Sequence, residues 1–248
     1  MATLALPDAQ AGSPLTWRRF REAFRRHPTA IVGGVVLAAM LLVAVLIAVP
    51  LGVVAAARAG SWVDRAVMAF SVLGFSVPVF VLAYLLILVF SIELDWLPVQ
   101  GYRPLREGVW EWLRHLVLPS IALGTVYIAL IARITRASML DVLAQDYIRT
   151  AQAKGLAPGS IFAQHALKNA AIPIVTIIGI GVALLIGGAI VTETVFAIPG
   201  IGRLTVDAIL RRDYPIIQGV VLIFSGAYVL VNLAVDLSYV LFDPRIRY

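Results

Sequence analysis

Five runs without a single charged side chain dominate this chain: Thr29–Ala57, Ala66–Ile92, Leu116–Ala132, Asn169–Thr192 and Tyr214–Val235, the last extending past Asp236 to Leu241. A helix of about 20 apolar residues crosses a bilayer. In hydrocarbon the backbone must satisfy its own hydrogen bonds, which leaves helices or closed barrels. None of the runs alternates polar and apolar residues with period two, so a barrel is excluded. The expectation is an all-α, polytopic transmembrane bundle of about five spans. Composition agrees: 61% of residues are hydrophobic and 14% charged, against about 25% charged in soluble domains, and the mean hydropathy is +0.94. The net charge of +6 sits on residues between apolar runs, where topology and lipid headgroups explain it better than nucleic acid does. The first run is too long for the apolar core of a signal peptide and reads as a retained helix.

Within the spans, Pro50 and Pro78 remove backbone donors and predict kinks. Gly179, Gly181, Gly187 and Gly188 predict close helix–helix approach. The segment 133–168 is the one long polar insert. "TRASMLDVLAQDYIRTAQAKG" has apolar residues at helical spacing, and Gly155 with Lys154 before it reads as a helix C-terminus. Pro158, Gly159 and Ser160 read as a turn, with Ser160 capping a second helix, "IFAQHALKNAA". The expected shape is helix, tight turn, helix on one membrane face.

The residues carry no familiar catalytic motif. There is no cysteine, hence no thiolate site or disulfide. No phosphate-binding Gly-x-x-x-x-Gly-Lys-[Ser/Thr] loop, zinc-type His-Glu-x-x-His or Gly-x-Ser-x-Gly nucleophile motif occurs. His27, His115 and His165 are scattered. No catalytic, cofactor-binding or metal-binding residue is expected.

The insert resembles the coupling loop, or EAA motif, of ABC importer permeases. Ala151, Gly155 and Leu167 fall on that pattern, and "DYIRTAQAKGL" with "HALKNA" looks like the version used by the peptide/nickel subfamily. Further similar stretches follow in order: "GSWVDRAVM" (60–68), "GFSVPVF" (74–80), "TETVFAIPGIGRL" (192–204), "AILRRDYPIIQGVVL" (208–222) and "LFDPRIRY". The resemblance covers about residues 42–248. It implies a type I importer permease core and a multi-pass subunit in a prokaryotic inner membrane. It also implies a sister permease as heterodimer partner, two ATPase subunits that bind the ATP, and an extracytoplasmic binding protein. By the same resemblance Arg149, Ala151, Lys154, Gly155 and Leu167 serve ATPase coupling. Pro199, Gly200 and Arg203 belong to the outer mouth and its contact with the binding protein, with Pro199–Gly200 read as a turn.

The beginning of the chain departs from that pattern. "WRRFREAFRRHPTAIVGGVVLAAM" looks like the start of the sister permease joined directly to the span that begins near Leu41. One helix then stands where two helices and an extracytoplasmic segment are expected. With the 133–168 segment in the cytosol, five spans put the amino terminus outside, although residues 1–28 carry Arg18, Arg19, Arg21, Arg25 and Arg26. Inner segments then hold nine Lys/Arg and outer ones eleven, so charge alone does not orient the chain. Residues 1–28 are expected to form a basic amphipathic tail, with Trp17, Phe20 and Phe24 on one face, and 29–248 the transmembrane domain. An ion-driven secondary transporter would need buried midplane acids and an inverted repeat, and neither is evident. A non-transporting membrane scaffold is the other alternative.

Overall fold

The computed structural model describes residues 28–242; the basic tail, with its Trp17–Phe24 face, lies outside them. The described chain is helical: α1 (Pro28–Ala57), α2 (Trp62–Ser76), α3 (Val79–Ile87), α4 (Val109–Leu143), α5 (Asp146–Ala153), α6 (Lys168–Val195), α7 (Ile201–Arg211) and α8 (Tyr214–Phe242). A π-helical turn, Leu88–Glu93, extends α3, and another, Ile161–Leu167, joins the single turn Pro158–Ser160 to α6. Four helices are by themselves long and apolar enough to cross a membrane, and the α2–α3 pair makes a fifth candidate.

That pair corrects the expected second span. Ala66–Ile92 is not one kinked helix: α2 and α3 meet at 101°. Val77 is extended (φ −81°, ψ 121°) and ends α2. Pro78 then disfavours helical geometry at the residue before it and cannot donate to the preceding turn. The bent pair still crosses. Asp64, in its first turn, pairs with Arg136 near one end of α4. The Trp96 carbonyl, just beyond its last turn, accepts from Arg114 Nη2 near the other end (3.0 Å). Arg114 and Arg136 are about 33 Å apart along a helix rising about 1.5 Å per residue, which matches a hydrocarbon core of about 30 Å.

α4 is the axis of the bundle. Toward its start, Leu118 and Ala122 pack with Ala83, Ile87, Val195 and Phe196. At its centre, Leu123, Tyr127, Ile131 and Ala132 pack with Ala44 and Ala48 of α1 and Leu185 and Ala189 of α6. Toward its end, Met139 packs with Ala56, Ala166, Ala170 and Ile174. The helix is 35 residues long, double the expected third span, and it takes in residues 133–143 that the sequence placed in the polar insert. Arg133 and Arg136 are therefore helix residues of the bundle rather than loop charges.

Close backbone approach is visible at three of the four predicted glycines. A Cβ at Gly179, Gly181 or Gly188 would stand against Val235, Tyr127 or Leu123, whereas Gly187 meets nothing within 4 Å. A close α1–α4 approach went unpredicted: a Cβ at Gly52 would lie 2.5 Å from the Thr135 Cβ and 2.7 Å from the Ala132 carbonyl oxygen. Lipid supplies no hydrophobic force between helices, so such small-residue contacts carry much of the association. α8 packs on α6 through Val235 and a 2.8 Å hydrogen bond between the Thr176 and Tyr239 hydroxyls, while Leu222, Leu230, Leu233 and Leu237 point outward.

Candidate coupling segment and outer mouth

α4 ends at Leu143, and the chain turns at Ala144–Gln145 with Gln145 extended (φ −74°, ψ 149°). The single helix expected over 135–155 is thus two helices. Tertiary packing decides the break: Ile148 and Ala151, one helical turn apart on α5, are buried against Ile161 and Leu143. Asn169 Nδ2 donates to the Tyr147 hydroxyl (3.1 Å), tying α5 to the foot of α6. Acidic Asp146 sits in the first turn of α5, where the helix dipole favours a negative charge.

The C-terminus of α5 is as the sequence predicts. Gly155 has φ +76°; its N–H donates to the Gln152 carbonyl (2.9 Å) and the Leu156 N–H to the Ala151 carbonyl (3.3 Å). These are the two bonds of a Schellman motif, in which glycine supplies the left-handed residue. The turn that follows differs from expectation. The next helix starts at Pro158 with Ala157 as its N-cap, and Ser160 lies inside it (φ −67°, ψ −40°). Proline suits a first helical position because its missing N–H has no partner there anyway. Ser160 caps nothing and donates to Gln164 Oε1 (3.3 Å).

The five predicted coupling residues therefore divide. Arg149, Lys154 and Gly155 are exposed on the knob, and Arg149 reaches Asp146 at 3.5 Å with both side chains largely in solvent. Ala151 is buried beneath the knob, and Leu167 packs against the core at the foot of α6. Those two shape the segment from within and present little surface to a partner.

Asp64 and Arg136 were not singled out from sequence. Asp64 Oδ2 accepts from Arg136 Nη2 (2.8 Å) and from the Gly60 N–H (2.8 Å), and Arg136 Nε donates to Oδ1. Ser61 Oγ accepts from the Asp64 N–H (3.4 Å), capping α2. The carboxylate side chain is 5% exposed and the guanidinium side chain 23%. This forked pair binds the α1–α2 turn to α4 two turns before α4 gives way to α5. Positions 72 residues apart carry no mutual signal in one sequence.

At the opposite end, the 193–213 segment is built around Glu193. α6 ends at Phe196, and the turn's left-handed residue is Ala197 (φ +53°), with Ile198 N–H donating to the Glu193 carbonyl (2.9 Å). The expected turn at Pro199–Gly200 is thus displaced: Gly200 is extended (φ −117°, ψ −179°) and N-caps α7. Glycine is needed there for space. A Cβ at Gly200 would overlap the Glu193 carboxylate, and one at Gly202 would strike both that carboxylate and the Ile190 backbone. Glu193 Oε2 accepts from the Arg203 N–H (2.8 Å). The carboxylate substitutes for the side-chain cap that Gly200 lacks. Nearby, Gln100 Nε2 donates to the Val195 carbonyl (2.8 Å) and the Gly101 N–H to the Phe196 carbonyl (2.9 Å), so the α3–α4 connection joins the same cap. Glu193→Ala should let α7 lift. A bond to a charged acceptor contributes about 1.5–3 kcal/mol, so modification of a cysteine placed at buried Ala208 should quicken about ten-fold or more. An unchanged rate would show that Glu193 does not hold α7.

The described residues thus hold a buried ion pair at one end, a capped helix at the other, and an exposed helical knob between the third and fourth crossings. The fold is that of ABC importer permeases: the MetNI methionine ABC transporter, solved in inward-facing conformations, matches with a TM-score of 0.63 over 83% of this chain and 92% of that one, at 20% identity. Residues 48–248 match the model for binding-protein-dependent transport system inner membrane components, and the chain belongs to that family. Residues 16–52 match the N-terminal transmembrane domain of oligopeptide transport permease C, so the joined beginning read from the sequence is borne out. The chain is 58% identical over 208 residues to a probable peptide ABC transporter permease protein of Sinorhizobium fredii, covering 84% of this chain and 66% of that one. It is 44% identical to the dipeptide transport system permease protein DppB of Alkalihalophilus pseudofirmus (84% and 68% covered). To the glutathione transport system permease protein GsiC of Escherichia coli it is 46% identical (83% and 64% covered). The chain spans about two thirds of the length of these relatives. It is a multi-span, non-catalytic inner membrane component.

Proposed function

We propose that this chain is a permease subunit of an ATP-driven importer of peptides or similar small solutes. It would form one wall of the translocation path, with a sister permease as the other wall and an extracytoplasmic binding protein delivering the solute. Two ATPase subunits would bind the ATP. The observation that carries the reading is the exposed α5 knob, braced by the Ile148–Ala151–Ile161 cluster inside a chain whose relatives are peptide permeases. A knob braced on the core transmits displacement to α4 and α6 instead of deforming. ATP binding would close the ATPases, draw the coupling segments together and bias the bundle between inward- and outward-facing states. Arg149 and Lys154 would meet acidic groups of the ATPase. Pro199, exposed before α7, and Arg203, exposed on it, would meet the binding protein.

This scheme puts α5 in the cytosol and α7 outside. Single cysteines at Ser160 and Arg203 should be labelled by an impermeant reagent from the inner and outer face respectively, and labelling of Ser160 only from outside would invert it. In proteoliposomes holding both permeases, the ATPases and the binding protein, uptake should require ATP. Uptake driven by a proton or sodium gradient without ATPase would mark an ion-coupled carrier, and none at all a scaffold.

A further inference from the structure

The break between α2 and α3 opens a cavity of about 250 Å³, walled by Phe75, Val77, Pro78, Val79, Leu123 and Tyr127. Three features make it more than a packing gap. First, α3 begins there without a side-chain cap. Val81 and Leu82 both donate to the Pro78 carbonyl (3.0 and 3.2 Å). The Val79 and Phe80 amides, at the positive end of the helix, have no intrahelical acceptor. Second, Tyr127 is 4% exposed, and its hydroxyl lacks a hydrogen-bond partner. The backbone of Leu185 approaches it without meeting hydrogen-bond geometry. A buried hydroxyl left unpaired is costly and calls for an explanation. Third, Arg133, less than two turns along α4 from Tyr127, holds its guanidinium 5.8 Å over the ring of Phe75, adding positive potential beside the same wall. Tyr127 stands at the middle of α4, so the site lies near the membrane midplane.

From an open helix N-terminus at Val79 and an unpartnered phenol, both lining one otherwise apolar cavity, and a cation stacked on its Phe75 wall, we infer a transient binding site for a carboxylate. The carboxylate is that of the solute in passage, with the adjoining apolar surface taking the neighbouring part of the same molecule. Anions bind at helix N-termini for the reasons that leave these amides open, and the low polarity of the walls strengthens each bond. No covalent step is involved. The inference rests on the proposed import of peptides, whose free C-terminus supplies the group.

The test uses the complete assembly in proteoliposomes, with di-, tri- and tetra-alanine as free acids and as C-terminal amides. Binding protein is kept saturating, so that turnover is read rather than capture. Tyr127→Phe removes only an unpaired hydroxyl, so its thermal unfolding should match or exceed wild type. Free-acid turnover should fall about ten-fold, as expected on losing a hydrogen bond to a charged group. Amide turnover and the half-saturating concentration of binding protein should not change. Val126→Trp, which fills the cavity from a half-buried wall position, should slow both classes. Equal free-acid turnover in Tyr127→Phe and wild type would overturn the site. So would an equal fall for acids and amides, which would mark a structural hydroxyl or one that meets a carboxylate of the sister subunit. A wild-type assembly that takes up none of the peptides under ATP would instead remove the peptide reading, and the site with it.

Discussion

Asp64→Ala should destabilise the protein by roughly 3–5 kcal/mol, the usual cost of stripping one partner from a buried ion pair. The loss is large because three donors are stranded together: Arg136 Nε and Nη2 lose their bonds to the carboxylate, and the Gly60 N–H loses its acceptor. Asp64→Asn should cost less, since an amide oxygen still accepts from Gly60 or Arg136. The double substitution Asp64→Leu, Arg136→Met should recover most of the stability, because two apolar side chains leave no uncompensated charge in the helix contact. Thermal unfolding in detergent, with detergent held constant, measures all three. A single Asp64→Ala variant as stable as wild type would mean that water or lipid headgroups satisfy Arg136, and that the pair does not hold α2 to α4. A recovered double variant with impaired uptake would separate stability from the positioning of the α4 end that leads into α5.

Gly155→Val should uncouple the knob from its ATPase while leaving the bundle intact. A Cβ at Gly155 meets nothing within 4 Å, so the whole penalty comes from φ +76°. In the left-handed region an L residue pays about 1–2 kcal/mol, and a β-branched one is a true outlier. α5 has only eight residues and little else to hold its C-terminus, so the Leu156–Ala151 bond should break and Lys154 should move. Co-purification of the ATPase and substrate-stimulated ATP hydrolysis should fall together, on the order of ten-fold if most of the strain is charged against docking. Insertion and capture of loaded binding protein should persist. Asparagine tolerates the left-handed region, so Gly155→Asn should behave almost as wild type and serves as the control. Full docking and transport in Gly155→Val would make α5 a connector and remove the central support for the coupling role.

Gly155 was legible because its signal is local: an amphipathic stretch, a basic residue and a glycine specify a helix end whatever surrounds them. Pro158 carried an equally local signal for a first helical position, yet the adjacent Gly159 and Ser160 suggested a turn, and that reading misplaced the cap. In the 193–213 segment, Pro199–Gly200 marked a break in the right neighbourhood. The left-handed residue is Ala197, however, and Gly200 is glycine because Glu193 occupies its side-chain space. A glycine kept for room and a glycine kept for φ look alike in a sequence.

The sequence by itself determined that the chain spans a membrane as helices. Hydrocarbon offers the backbone no hydrogen bonds, and charge-free runs of sufficient length admit no other solution. It also determined the family, because ordered motifs survive in linear form. Tertiary structure alone decided where the helices break and what they hold. Residues 135–153 have helical propensity throughout, with no glycine or proline between them. The chain folds back at Ala144–Gln145 because Ile148 and Ala151 find Ile161 only in three dimensions. Pro78 permitted a kink of any size, and contacts at both ends of α4 fixed it at 101°. Asp64–Arg136, Glu193 on α7 and the Tyr127 cavity all join residues far apart in the chain. Their energies come from burial and geometry, which exist only once the helices have packed.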